Sequence, residues 1–278
     1  MPTFIGIGAQ KCASTWLFEI LRCHPEVVLS EPKELDFFSY RFHYGLQWYE
    51  HHFPASTDAR AVGEISPSYF HEPAVPERVR QVLPEARILL SLRDPVQRAI
   101  SNHKHEVRLG HFSGGDLSFE AGLRNNASYV EQGLYATHLS RWLQWFPKGQ
   151  LLVVIYDEIV ADPMAVAGQV YHFLGVDPDH SPAALHQRAN PSYINRYPVL
   201  DHWRRLSKES LHRMGLDFVW RLATASGLKR AYERINRQAS EDAIPPVDPE
   251  TLQSLRAGFA SEVARLEELL GRELPDWR

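Results

Sequence analysis

Side chains able to hold and move an anionic group stand at three places in the chain. The first is Gln10-Lys11-Cys12-Ala13-Ser14-Thr15-Trp16, which brings an ammonium and two hydroxyls together. The second is Glu34, inside Pro32-Lys33-Glu34-Leu35-Asp36-Phe37-Phe38. The third is Arg93, followed by Ser101 and His105. Lysine, hydroxyls and the arginine fork are ligands for phosphate. A carboxylate beside them is a possible proton acceptor.

The elements around these residues decide whether they can act together. Phe4-Ile5-Gly6-Ile7-Gly8 reads as a short buried strand, and Thr15 to Cys23 carries Trp16, Leu17, Ile20 and Leu21 on one helical face. Strand, small-residue turn and helix start make an anion cradle, because the first amides of the helix point outward and its dipole favours negative charge. The cradle is not a Walker loop: counted from Gly8, Ala13 stands where that motif needs glycine and Ser14 where it needs lysine. An ordinary strand-to-helix turn that carries a lysine is the alternative on this stretch alone.

Pro25 to Leu29 reads as a second strand, leading into the loop with Glu34. Two readings of Glu34 stand side by side, a base facing the cradle and a solvated glutamate at a helix start. Gly45 to Phe53 is expected to be helical, Ala61 to Ile65 a strand, Ser66 to Phe70 a turn and Pro76 to Leu83 a helix. The apolar run Ala86 to Leu92 has the look of a central parallel strand. Arg93 sits at its carboxyl end, and a helix opens at Pro95 and runs to about Arg108. Ser101 and His105 share one face of it. Arg93 with Ser101 can therefore hold a second phosphate; a strand-end arginine paired with Asp94 is the structural alternative.

Further along, helices are expected at Ser118 to Arg124, Leu134 to Phe146 and Pro163 to Leu174, and a strand at Gln150 to Tyr156. Asn190 to Pro198 reads as a polar, aromatic loop with Arg196 in its middle. Residues 202 to 237 are rich in arginine and lysine with interleaved aromatics. They read either as a solvated amphipathic helical pair or as a peripheral contact for an anionic surface. Leu252 to Leu270 carries an apolar stripe that should face a core.

With 278 residues and 44% hydrophobic side chains, the chain can bury a sizeable core. A net charge of −4 gives no reason to expect a nucleic-acid partner. The two cysteines, Cys12 and Cys23, are separated by a helix rising about 1.5 Å per residue, too far for a disulfide. They read as free thiols in a reducing compartment. Cys12 at a helix start has the position of a nucleophile but no histidine close in sequence to serve as its base. No signal peptide, membrane-spanning run or metal-ligand spacing is expected.

Two phosphate sites on neighbouring strand ends suit a nucleotide with both a 5′ and a 3′ phosphate. On these motifs the chain resembles the sulfotransferases that use 3′-phosphoadenosine-5′-phosphosulfate (PAPS), most closely the heparan-sulfate and bacterial carbohydrate branch. GAQKCASTWL resembles the family's 5′-phosphosulfate loop. RDPVQRAISNHKH resembles its 3′-phosphate segment, PKELDFF its catalytic-glutamate segment and LEELLGRELPDW a frequent C-terminal ending.

The resemblance implies an α/β fold, a central parallel β-sheet flanked by helices with a P-loop-like nucleotide site. It implies one sulfotransferase domain over 1–278, with 199–246 a helical, basic insertion or cap and 247–278 packing on the core. It implies PAPS as donor, adenosine 3′,5′-bisphosphate as product and no metal. By position, Glu34 would be the base, Lys11 the cation on the leaving group and His105 a supporting catalytic residue. Gln10, Lys11, Cys12, Ala13, Ser14, Thr15 and Trp16 would cradle the 5′-phosphosulfate, largely through backbone amides and the two hydroxyls. Arg93 and Ser101 would take the 3′-phosphate, with Arg196 in a covering loop. The acceptor would be a glycan, glycolipid or other small molecule, modified on a hydroxyl, with an amine as the alternative. The protein would be a soluble, cytoplasmic bacterial enzyme. Two positions depart from the pattern: Ile65 stands where a lysine is common, and Ala13 replaces a loop glycine, a change that is tolerable if its φ is negative. A P-loop kinase of a small metabolite and a non-catalytic nucleotide- or glycan-binding relative are the competing readings.

Overall fold

A computed structural model describes residues 1–55, 58–112, 116–182, 185 and 244–278, together with the backbone of 193–195 and 237–239. Contacts gather into two compact units. One comprises Met1–Ala99, Ala127–Asn190 and Leu252–Arg278; the other comprises Ile100–Asn126 and Pro191–Thr251.

The first unit is built on a five-stranded sheet of β1 (Phe4–Gly8), β2 (Val27–Leu29), β3 (Ala61–Ile65), β4 (Arg87–Leu92) and β5 (Leu151–Ile155). Its order is β2-β3-β1-β4-β5 and every pairing is parallel. β1 lies in the middle and is buried along its whole length, which is why its sequence is apolar or glycine throughout. From β1 the chain fills one side of the sheet with β2 and β3, then crosses to lay down β4 and β5 on the other. The order therefore reverses between β1 and β4. Ligands of parallel sheets gather outside the carboxyl ends of the strands at such a point.

Helix α1 (Ser14–Arg22) follows β1 and buries Trp16, Leu17, Ile20 and Leu21. These side chains share a core with Ile65, Leu89 and Val154 of the sheet and with Val166, Ala167, Val170, Tyr171 and Leu174 of the helix Pro163–Leu174. A fully buried large apolar side chain contributes about 1.5–3 kcal/mol. A nine-residue helix is marginal by propensity alone, so packing is what fixes the start of α1 above β1. Two hydrogen bonds add direction: the Trp16 indole N–H donates to the Leu185 carbonyl at 3.1 Å, and the Tyr171 hydroxyl to that of Ile20 at 3.1 Å. The C-terminal helix, Pro249–Leu270, buries Leu255, Phe259, Val263 and Leu266, the stripe expected from the sequence. Its Glu262 and Glu267 are buried too. Glu262 accepts from the Thr137 amide and hydroxyl at 3.0 and 2.8 Å, and Glu267 from the Leu274 amide at 2.6 Å.

The second unit contains most of the helix Pro95–Leu109, the helix Phe119–Asn125 and a two-stranded antiparallel pair, Tyr193–Asn195 with Arg237–Ala239. A small apolar cluster joins Val107, Phe112, Leu117 and Ile244. The Ser118 hydroxyl caps the helix Phe119–Asn125 by accepting from the Ala121 amide at 3.2 Å.

Several expectations change. The stretch expected as a loop at 190–198 contains a strand at 193–195, because its backbone groups pair with 237–239. For the same reason 237–239 is strand, within a stretch expected to be helical. The other residues of 196–243, Arg196 among them, lie outside the described residues. The helix expected over 45–53 shrinks to Leu46–Glu50, preceded by a wide π-helical turn at Phe37–Arg41 and a tight 3-10 turn at Phe42–Tyr44. Short helices at Ser128–Glu131 and Tyr156–Ala161 were not foreseen; each is too short to show a helical period.

Candidate active site

The loop between β1 and α1 leaves the sheet at Gly8. Its φ is +136°, and a Cβ there would sit 2.9 Å from the Pro67 carbonyl oxygen, so this position requires glycine. The Ala9 amide donates to the Ser91 carbonyl at 2.7 Å, and the Ser91 hydroxyl to the Gly8 carbonyl at 3.0 Å. These bonds stitch the loop to the end of β4. The N-cap of α1 is Ala13, with no side-chain cap and no acid in the first turn. The positive end of the helix is left to be complemented from outside.

Ala13 itself corrects the sequence reading. Its φ is +73°, not negative, and Lys11 has φ +68°. Among the described residues, the only other non-glycine positive φ values belong to Glu34 (+63°) and Asp36 (+51°). Among the described residues, left-handed backbone at non-glycine positions is thus confined to the cradle and the glutamate loop, the pattern expected where function over-determines conformation.

Cys12 is fully buried beneath the cradle. Its Sγ lies 3.5 Å from the Tyr135 hydroxyl, and that hydroxyl donates to the Arg93 carbonyl at 3.0 Å. Burial pushes the thiol pKa up, which removes it from consideration as a nucleophile. Its contribution is to link the cradle to the end of β4. Cys12 and Cys23 are both free thiols.

Arg93 follows β4 directly. The alternative ion pair with Asp94 is not what its side chain makes. The guanidinium lies over the Tyr156 ring, 4.5 Å from the centroid, a cation–π contact that orients the fork. Asp94 instead caps its own helix, accepting from the Gln97 amide at 2.6 Å. The helix is anchored further by the buried Arg98, which donates to the carbonyls of Ser128 and Tyr129. Ser101 and His105 occupy the same helix, in the second unit. His105 Nδ1 accepts from Arg108 Nη2 at 2.7 Å, so the neutral ring carries its proton on Nε2.

Glu34 lies in the loop after β2, with its carboxylate about half exposed. Its Oε1 is 2.8 Å from Lys33 Nζ, and Lys33 Nζ is 3.1 Å from the hydroxyl of Thr15 in the first turn of α1. The structure therefore brings the second group of residues onto the first. The loop's far end is fixed from below. The Asp36 amide donates to Ser66 Oγ at 3.0 Å, and Ser66 Oγ donates to Glu64 at 2.7 Å. Glu64, fully buried on β3, also accepts from the hydroxyls of Tyr49 and Tyr69 at 2.7 and 2.8 Å. Burial outweighs these three donors and raises Glu64 to about 7.

Sequence reasoning passed over Lys33, Glu64 and Tyr156. An acid inside an apolar strand, as in Val62-Gly63-Glu64-Ile65, was the available signal for Glu64. Ile65 is buried in the core against Gly6, where a Cβ would come within 2.7 Å of it.

The sulfotransferase-domain profile matches residues 2–221. The chain belongs to the sulfotransferase family. It is 32% identical, over its whole length, to a mouse bifunctional heparan sulfate N-deacetylase/N-sulfotransferase 4, covering 31% of that protein. It is 36% identical to mouse heparan sulfate glucosamine 3-O-sulfotransferase 3A1 over 63% of this chain and 46% of the relative. The chain thus spans less than half the length of these two curated relatives. Among solved structures, a sulfotransferase from Alicyclobacillus acidocaldarius aligns with 100% of this chain and 99% of its own, at a TM-score of 0.72 and 25% identity. Both the family and the parallel-sheet α/β fold agree with the resemblance drawn from the motifs.

Proposed function

We propose that this sulfotransferase takes its sulfuryl group from PAPS and places it on a hydroxyl of a carbohydrate, an amine being the alternative acceptor group. The observation that carries this reading is the tether from Glu34 through Lys33 to Thr15, which links a carboxylate to the first turn of a helix whose N-terminus has no side-chain cap.

The residues present suit such a donor. The backbone passes Gly8 where a side chain would collide, the first turn of α1 carries no acid, and Arg93 stands at the adjacent strand end with its fork oriented by Tyr156. When bound, PAPS supplies an activated sulfuryl group on a phosphate leaving group. The chain's own residues do the rest. The amides of Ala13 to Trp16, with the hydroxyls of Ser14 and Thr15, hold the 5′ end; Lys11 stabilises negative charge there. Arg93 holds the 3′-phosphate. Glu34 accepts the acceptor proton at a carboxylate oxygen. Transfer of this kind depends on alignment and charge stabilisation more than on covalent chemistry by the protein.

An aromatic strip directly after the glutamate loop supports a sugar acceptor. Tyr40 and Tyr44 are 57% and 54% exposed. The Tyr44 and Trp48 rings stand 5.2 Å apart between centroids, and Trp48 packs 6.0 Å from the buried Phe37. Such rings offer apolar faces beside a polar base. The similarity to heparan sulfate sulfotransferases points the same way. Incubation with radiolabelled PAPS and a panel of glycans, glycolipids and phenols tests the reading. Label on glycans or glycolipids is expected. Label confined to phenols would overturn the acceptor class, and no label on any acceptor would overturn the activity.

A further inference from the structure

We propose that Lys33 is a positioning residue for sulfuryl transfer, holding the Glu34 carboxylate against the donor loop. The proposal rests on the reading of Glu34 as the base and adds a residue that neither the motifs nor the comparisons assign.

Its geometry is specific. One ammonium bridges two loops, 2.8 Å from Glu34 Oε1 and 3.1 Å from Thr15 Oγ1, and it lies over the Phe18 ring, 5.6 Å from the centroid. Its side chain is 23% exposed and that of Glu34 45%. An ion pair with this much solvent contact adds little to folding, so stability does not account for it. The backbone points the same way. Glu34 adopts a left-handed φ of +63° immediately after Lys33, an arrangement that needs support from its surroundings. That support comes at both ends: the Asp36 amide is tied to Ser66, and the Lys33 ammonium is tied to the first turn of α1. Lys33 therefore couples the position of the base to the loop that holds the donor.

The test compares Lys33→Met and Lys33→Arg with the wild type in two ways. In the nucleotide-free protein, exchange of the Asp36 amide, held by Ser66 Oγ, should quicken about tenfold in Lys33→Met and stay within about threefold of wild type in Lys33→Arg, since local opening follows the lost tether. In the enzyme, kcat should fall about a hundredfold in Lys33→Met, while affinity for adenosine 3′,5′-bisphosphate changes by less than about threefold. Lys33→Arg should recover at least about a tenth of the lost rate, because it can still bridge both oxygens. Unchanged exchange in Lys33→Met would overturn the tether, whether or not the protein transfers sulfate. Full kcat in Lys33→Met, or a loss of nucleotide affinity equal to the loss of rate, would overturn the positioning role. Absence of transfer by the wild type would instead count against the activity itself.

Discussion

At the scale of single residues, the site combines charges that the sequence displays with backbone that it conceals. Lys11, Glu34 and Arg93 are visible because their types are scarce in buried strand–turn–helix units. Their expected effects differ. Lys11→Ala should lower kcat about 10²–10³-fold, the usual cost of removing one electrostatic contact to developing charge. Arg93→Ala should mainly weaken binding of adenosine 3′,5′-bisphosphate, by about tenfold to a hundredfold for one lost charge-assisted interaction, measured by titration calorimetry. Ala13 stands where the family resemblance leads one to expect glycine, and the cradle takes a left-handed turn there all the same, at φ +73°. An L-residue in that region costs about 1–2 kcal/mol. Ala13→Gly should therefore raise the unfolding free energy by about 1 kcal/mol in denaturant titration, with transfer retained; a loss of stability would contradict the assigned backbone.

At the scale of elements, the parallel sheet was legible because each strand is a short apolar run and each turn after it carries chemistry. Element length set the limit of that legibility. The helices Ser128–Glu131 and Tyr156–Ala161 complete fewer than two turns and leave no periodic signature. The strand pair 193–195 with 237–239 depends on a partner distant in sequence. The support of the glutamate loop by β3 depends on burial that sequence shows only as an odd acid. Glu64 gives this support a pH signature. Its folded pKa, about 7, lies above the ordinary glutamate value of 4.5. Between these values the folded state keeps a proton that the unfolded state has released, so stability falls as pH rises through the window and levels off above it. Glu64→Gln lacks this dependence. Relative to wild type it should gain about 1.4 kcal/mol per pH unit across the window, a few kcal/mol in all. Parallel stability curves for the two proteins, from denaturant midpoints at successive pH values, would contradict the buried carboxylate.

At the scale of the whole molecule, the cradle, Arg93 and the Glu34 loop are all carried by the first unit, at the carboxyl ends of β1 and β4 and beside β3. Ser101 and His105 lie beyond Ala99, on the part of the same helix that belongs to the second unit. A ligand held by this site stabilises the folded chain by mass action, about 2.7 kcal/mol at a hundred times its dissociation constant. Adenosine 3′,5′-bisphosphate should raise the melting temperature, an effect reduced in Arg93→Ala, whereas ATP with magnesium should not. The claim on which everything else depends is that Glu34 is the base. It is tested most directly by the rate of labelled sulfuryl transfer from PAPS to a glycan at saturating donor, in Glu34→Gln against wild type. A fall of about 10²–10⁴-fold with unchanged affinity for the bisphosphate is predicted; transfer at the wild-type rate would contradict it.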